Sequence, residues 1–243
     1  MGMGDDLVLL AINDRKGVIR DRLLLTVALS AAELAELALD GCVGMDGPHL
    51  VATRARRSGE ADPMLDACLK AVGRTSRQTA VTAWIVNGRS MSGSNSYVES
   101  LTAAGVLRTE SLPRRLYDSG HRVHIVDRGR ADEAVARFRA AAAGKAQAGI
   151  EDEVFALLAD AARLTRVHVG WWKARSARRR LSGFAERRTQ EEAEPDRIAR
   201  SIVRLSVRTI KAVDASSRGS TNGLSIGIPI DQQYGMRNGF GPY

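Results

Sequence analysis

Residues 29–43 read LSAAELAELALDGCV, and only Ser30, Glu33, Glu36 and Asp40 among them carry polar side chains. Together with the leucine-rich residues just upstream, this segment is apolar around most of a helical circumference. That is too wide for the single stripe of a surface helix. The spacing predicts a central helix over 23–39, walled on several sides by other elements. Gly41 then predicts the stop, because glycine enters the left-handed conformation of a helix C-terminus without a Cβ penalty. The Asp46-Gly47 pair that follows lies between short apolar runs and predicts a tight hairpin.

The rest of the chain has to supply the walls. Its 243 residues are enough to bury a substantial core without disulfide or metal staples. Aromatic residues make up only 5%, while Ala, Leu and Arg abound, a balance that favours helices. Cys42 and Cys68 each stand alone in apolar surroundings and read as buried free thiols, with no CxxC spacing for zinc. The start, MGMGDDLVLLAIND, has acids where a secretory leader carries bases. No run approaches the ~20 apolar residues that span a bilayer. These features predict a cytoplasmic protein that at most lies on a membrane surface.

Further helices are predicted over 5–12, from Asp62-Pro63 to Gly73, over 94–104, over 131–144, over 150–166 and over 196–213. Asn13 to Gly17 is turn chemistry. A second hairpin is predicted with strand runs at 106–107 and 122–126, so a helix, a glycine and a hairpin follow one another twice. From Asp214 the composition turns to Ser and Gly. Residues 1–213 are therefore expected to form the domain, and 214–243 a linker and tail, disordered or strand-forming.

The formal net charge is +8, with a pI of about 10.1. Residues 163–189 hold nine Lys or Arg and one acid, Glu186, so this one segment accounts for the whole excess. It also contains Trp171, Trp172, Leu181 and Phe184. A basic helix with paired tryptophans suits a membrane interface, where indoles sit at headgroup level and cations meet anionic lipid. It also suits phosphates of nucleic acid, or a solvated face with the tryptophans in the core. Their exposure discriminates. Trp171, Trp172, Lys173, Arg175, Arg178, Arg179 and Arg180 are the membrane-surface candidates.

No catalytic constellation is legible. His121 and His124 are three apart on a strand and so point to opposite faces. Gly144-Lys145 lacks the flanking residues of a phosphate-cradling loop, and no GxSxG elbow occurs. The sequence predicts a non-enzyme without cofactor or metal.

Several segments in order resemble the Golgi phosphoprotein 3 family, which includes bacterial and especially actinobacterial members. They are an apolar helix followed by Asp14-Arg15-Lys16-Gly17, then Glu36-Leu37-Ala38-Leu39-Asp40-Gly41, then Gly105-Val106-Leu107 before a hairpin. The resemblance runs over about 5–212 and points to a bacterial member. It implies a mainly α fold: a single globular domain with a central hydrophobic helix ringed by amphipathic helices, plus one or two short β-hairpins. It also implies a non-enzymatic peripheral membrane adaptor that binds an anionic phospholipid headgroup such as phosphatidylinositol 4-phosphate, recruits a protein partner and self-associates through the second hairpin. The headgroup pocket of eukaryotic members is built from a Trp and three Arg. Those positions align with Asp21, Ser30, Met91 and Ser94, so the lipid contacts do not carry over residue by residue. Neighbouring cations, Arg20, Arg22 and Arg89, are the alternative candidates for anion binding, with Arg114 and Arg115 at the tip of the second hairpin. The rivals are a winged-helix-like DNA-binding protein and a purely protein–protein adaptor. Nucleic acid is the less favoured partner, because the basic cluster is far in sequence from the winged-helix-like stretch.

Overall fold

The structure is a computed structural model that describes residues 2–56, 62–75, 79–86, 93–111, 121–144, 149–186 and 193–219. Its centre is the helix expected from residues 23–39, here α2 (Arg22–Leu39), preceded by α1 (Met3–Ala11) and a short hairpin of β1 (Ile12–Asn13) and β2 (Val18–Ile19). Leu29, Leu34 and Leu37 are fully buried, as are Ser30 and Glu33. Burying one such leucine is worth about 2 kcal/mol. The Asn13–Gly17 turn closes as expected, with the N–H groups of Lys16 and Gly17 donating to the Asn13 carbonyl.

At Gly41, φ is +68°. Its N–H donates to the Ala38 carbonyl at 2.9 Å, and the Cys42 N–H reaches the Leu37 carbonyl at 2.7 Å. That pair of bonds is a Schellman stop, which satisfies carbonyls the helix end would otherwise orphan. It delivers the chain into β3 (Val43–Asp46) and β4 (His49–Ala52), paired antiparallel with Asp46 opposite His49 and Gly47 in the turn.

Next come α3 (Pro63–Thr75), α4 (Val81–Val86) and α5 (Ser94–Ala103). Asp62 caps α3 by accepting from the N–H groups of Met64 and Leu65, 2.9 and 3.2 Å away. Trp84 of α4 is fully buried. α5 ends as α2 does: the Gly105 N–H donates to Thr102 and the Val106 N–H to Leu101. The second hairpin follows, β5 (Leu107–Ser111) with β6 (His121–Ile125). Its tip, with Arg114 and Arg115, lies outside the described residues, as do Arg89 and Met91.

The outer helices are α6 (Arg128–Ala142), α7 (Ile150–Ala161), α8 (Thr165–Val169), α9 (Trp171–Glu186) and α10 (Glu194–Gly219). α2 packs against α1, α3, α4, α5, α7 and, most extensively, α10. The mainly α architecture around a central hydrophobic helix is thus as expected. Cys42 and Cys68 are buried free thiols.

Two boundaries differ from expectation. The helix predicted over 150–166 breaks at Arg163, which takes a left-handed φ of +66°. Its N–H bonds the Asp160 carbonyl and the Leu164 N–H bonds the Ala159 carbonyl, so an arginine fills the role a glycine fills elsewhere. A non-glycine there is strained by roughly 1–2 kcal/mol; the Arg163 guanidinium pairs with Asp214. The second difference is that residues 214–219, which read as the start of a linker, continue α10. Asp214 pairs with Arg218 one turn on, at 2.5 Å, and the Ser216 and Ser217 hydroxyls bond back onto helix carbonyls. These local bonds override the Ser-rich composition.

Candidate functional site

The basic segment folds as a corner. α8 ends at Gly170, whose φ of +79° turns the chain into α9. One stripe of α9, Ala174, Ala177, Leu181 and Phe184, is buried in the core. Its spacing of three and four leaves the other face to water. The tryptophans start that exposed side: Trp171 is 66% exposed and Trp172 87%. Their rings stack edge to face with centroids 5.0 Å apart. Lys173, Arg175 and Arg179 are exposed beside them, and Arg166 and Val167 are exposed on α8.

The cations of the cluster divide. Arg178 turns inward, its Nε 2.9 Å from Asp160 Oδ1, and Arg180 donates to the Ala142 carbonyl at 3.3 Å. These two fasten α9 to α7 and α6. Asp160 also accepts from the Thr165 hydroxyl at 2.6 Å, so it ties both arms of the corner to the end of α7.

Behind the corner stands a group that the sequence did not bring together. Arg139 of α6 donates from Nε to the His168 carbonyl at 2.8 Å. The His168 ring places Nε2 2.8 Å from the Leu10 carbonyl of α1. Arg20 lies alongside, its own N–H bonded to the Ala11 carbonyl. Burial pushes the His168 pKa down, and the positive charges of Arg139 and Arg20 push it the same way. The Arg20 Nε is buried and has no hydrogen-bond acceptor among the described residues. Arg22 is half-buried in the first turn of α2, while Asp21 before it is exposed. Ser30 is fully buried and donates to the Thr26 carbonyl, and Ser94 is buried.

A second feature has the opposite charge. A cavity of about 650 Å³ opens between α1, α2, α3, α5 and α7, lined by Asp5, Glu36, Asp62, Tyr97 and Glu151 and by one cation, Arg56, which pairs with Asp40 and Asp66. Glu36 accepts the Met3 N–H. Burial pushes its pKa up to about 8, and Asp62, Glu151 and Asp5 add repulsion. Burial likewise raises Asp5. Deeper in, the Tyr97 hydroxyl donates to Glu33 Oε1 at 3.2 Å. Burial, then the charge of Glu33, hold the phenol well above its usual range. Burial and Glu33 likewise push the Cys68 thiol up, out of the reactive range. This cavity joins residues from distant parts of the chain, and no local motif announces it. Among the described residues, no group of three or more His, Cys, Asp or Glu is arranged to hold a metal ion.

Core, corner and cavity define a mainly α, single-domain scaffold whose exposed features are a basic aromatic edge and an acidic recess. No described helix is long and apolar enough to cross a membrane. The chain belongs to the Golgi phosphoprotein 3 (GPP34) family, whose model matches residues 3–207. Comparison with curated proteins returns no match.

Proposed function

We propose that the protein is a non-enzymatic adaptor on the cytoplasmic face of a membrane, docking on anionic phospholipid through the α8–α9 corner. One observation carries this reading: two adjacent tryptophans are exposed at the head of a helix whose neighbouring exposed side chains are cations. An exposed indole pair is unfavourable in water and favourable at the headgroup level of a bilayer. Lys173, Arg175 and Arg179 each add about 1 kcal/mol near an anionic surface. Together these terms support weak, reversible and salt-sensitive association. Family membership supports the same role, and the headgroup need not be a phosphoinositide.

Co-sedimentation with vesicles tests it. The vesicles are neutral phosphatidylcholine, phosphatidylcholine with phosphatidylglycerol, and phosphatidylcholine with phosphatidylinositol 4-phosphate, each across a salt series with duplex DNA as competitor. Binding to both anionic preparations that fades with salt supports the reading. Absence of binding to every vesicle refutes it, and capture by the DNA would favour nucleic acid instead.

The acidic cavity supports a second role beside the first, as a protein adaptor. A Lys or Arg side chain of a partner would relieve the repulsion among Asp5, Glu36, Asp62 and Glu151. Calorimetric titration with a basic peptide, at a pH above and a pH below the Glu36 transition, tests this. Heat of binding at neither pH would refute it.

A further inference from the structure

We infer that the cavity between α1, α2, α3, α5 and α7 is a binding site for an extended organic cation, a small diamine or polyamine. Its ammonium ends meet the cavity's carboxylates and its methylene chain lies on the apolar part of the lining. The ligand is a free small molecule. The inference therefore goes beyond the basic-peptide role proposed for this cavity, and it does not depend on membrane docking.

Three of the carboxylates have local work. Asp5 accepts the Gly2 N–H at 3.0 Å, Glu36 accepts the Met3 N–H, and Asp62 caps α3. Helix starts favour an acid each, but that does not explain why all three line one cavity of about 650 Å³. Ion pairing does not explain it either. Arg56 is held by Asp40 and Asp66, and Glu151 by Arg137. Asp5, Glu36 and Asp62 make no ion pair among the described residues. At Asp5, the repulsion from Asp62 exceeds the attraction of the chain's amino terminus. An ionised carboxylate has about four lone-pair sites, so the capping bonds leave acceptors for the N–H groups of a ligand.

Size and layout narrow the ligand. Cavities of roughly 300–1,000 Å³ hold small organic molecules. A single metal ion does not suit the donors, since among the described residues no three His, Cys, Asp or Glu are arranged to hold one. The unpaired carboxylates come from α1, the end of α2 and the residue before α3. Negative charge spread in this way suits a cation charged at both ends. The same lining includes Leu39, Met64, Leu101 and Tyr97, which a methylene chain covers. Elsewhere the chain repels cations, its net charge being +8, so saturable uptake of a polyamine reports a site and not a surface film.

Glu36 links occupancy to protons. The groups facing it are Asp5, Asp62 and Glu151, all acidic. Arg56 is engaged by its own acids, and the Tyr97 phenol donates to Glu33 and stays neutral. With a pKa of about 8, Glu36 is protonated at pH 7, and an ammonium beside it favours the ionised form. Binding then releases a proton, and affinity rises with pH by up to about tenfold per unit below pH 8.

Calorimetric titration of the full chain at low salt tests the site. The probes are spermidine and 1,4-diaminobutane, with butylamine and magnesium chloride as controls at matched ionic strength. At pH 8 both probes give saturable heats, and butylamine, charged at one end only, binds roughly tenfold more weakly. At pH 7 the heats differ between Tris and phosphate buffers, which reports the released proton. Glu36→Gln and Asp62→Asn each weaken spermidine by roughly tenfold or more. Asparagine keeps the cap on α3, and unfolding midpoints verify that both variants fold. Asp132→Asn alters an exposed acid of α6 outside the cavity and leaves binding unchanged.

The absence of saturable heat with either probe at pH 8 overturns the inference. So does displacement of spermidine by magnesium at matched ionic strength, full affinity in both cavity variants, or equal heats in the two buffers. Failure here is separable from failure of the peptide role. Spermidine heats without basic-peptide heats remove the peptide role alone, and peptide heats without spermidine heats remove this site alone.

Discussion

Replacing Glu36 by Gln makes the protein more stable at neutral and alkaline pH, by an amount that grows with pH. Glu36 stands in the acidic cavity with its pKa raised from 4.5 to about 8, burial being the main cause. A carboxyl whose folded pKa is raised stays protonated while the unfolded chain releases its proton. The cost to the folded state is absent below the unfolded value, accumulates between roughly pH 4.5 and 8, and is constant above. Each pH unit in that window is worth up to ~1.4 kcal/mol, so at pH 7 the wild-type chain carries a penalty of roughly 3 kcal/mol. Glutamine cannot ionise, and its amide oxygen still accepts the Met3 N–H that Glu36 accepts. Its NH2 group can donate toward Asp5, Asp62 or Glu151, which a carboxylate repels. Urea unfolding followed by circular dichroism, repeated at intervals from about pH 5 to 8.5, measures the difference. The variants differ least near pH 5 and diverge as pH rises, the wild type losing ground. A difference that stays constant across this range refutes the reasoning, because an unperturbed Glu36 would be ionised in both states throughout.

Three further outcomes are expected. Gly41→Ala forces a Cβ into a left-handed residue at φ +68°, beside the Arg54 guanidinium, and lowers stability by about 1–2 kcal/mol in denaturant unfolding. Asp6→Asn costs about 3 kcal/mol by the same assay. Asp6 is 2% exposed and pairs with both Arg130 and Arg137, and losing one partner of a buried pair strands the other; Arg137 keeps Glu151 and Asp152 at 2.5 Å, which holds the loss to the lower end. The double variant Trp171→Ala/Trp172→Ala leaves the unfolding midpoint unchanged, since both rings are exposed, but reduces co-sedimentation with anionic vesicles at least tenfold.

The parts of the fold that rest on local chemistry were legible in the sequence. The apolar width of 23–39 announced the central helix, Gly41 and Gly105 announced two identical stops, and Asp62-Pro63 announced the start of α3. The parts that rest on tertiary bonds were not. Arg163 ends the helix predicted through 166, and its guanidinium pairs with Asp214 on another helix. The Ser-rich stretch that follows Val213 is the exception among the misses: local bonds keep it helical against its composition, Asp214 meeting Arg218 across one turn. For the corner, the sequence located the charge and the tryptophans but left their exposure open, and the buried stripe of Ala174, Ala177, Leu181 and Phe184 resolves it. Arg139 joins His168 only through packing of α6 on α8, and the acidic cavity draws on five separate helices. No local pattern encodes either meeting.

Asp160 gives the corner a mechanical property. By holding Thr165 on one arm and Arg178 on the other, it acts as a bracket that bolts a protruding aromatic bumper to the main frame. A force applied at Trp172 passes along α9 into α7 and not into a slack loop. In the proposed docking, landing on a surface then freezes little that was free beforehand, so contact is made by a part already in shape for it. Cutting the bracket with Asp160→Ala would leave the bumper in place but loosely hung, and each landing would have to still it first.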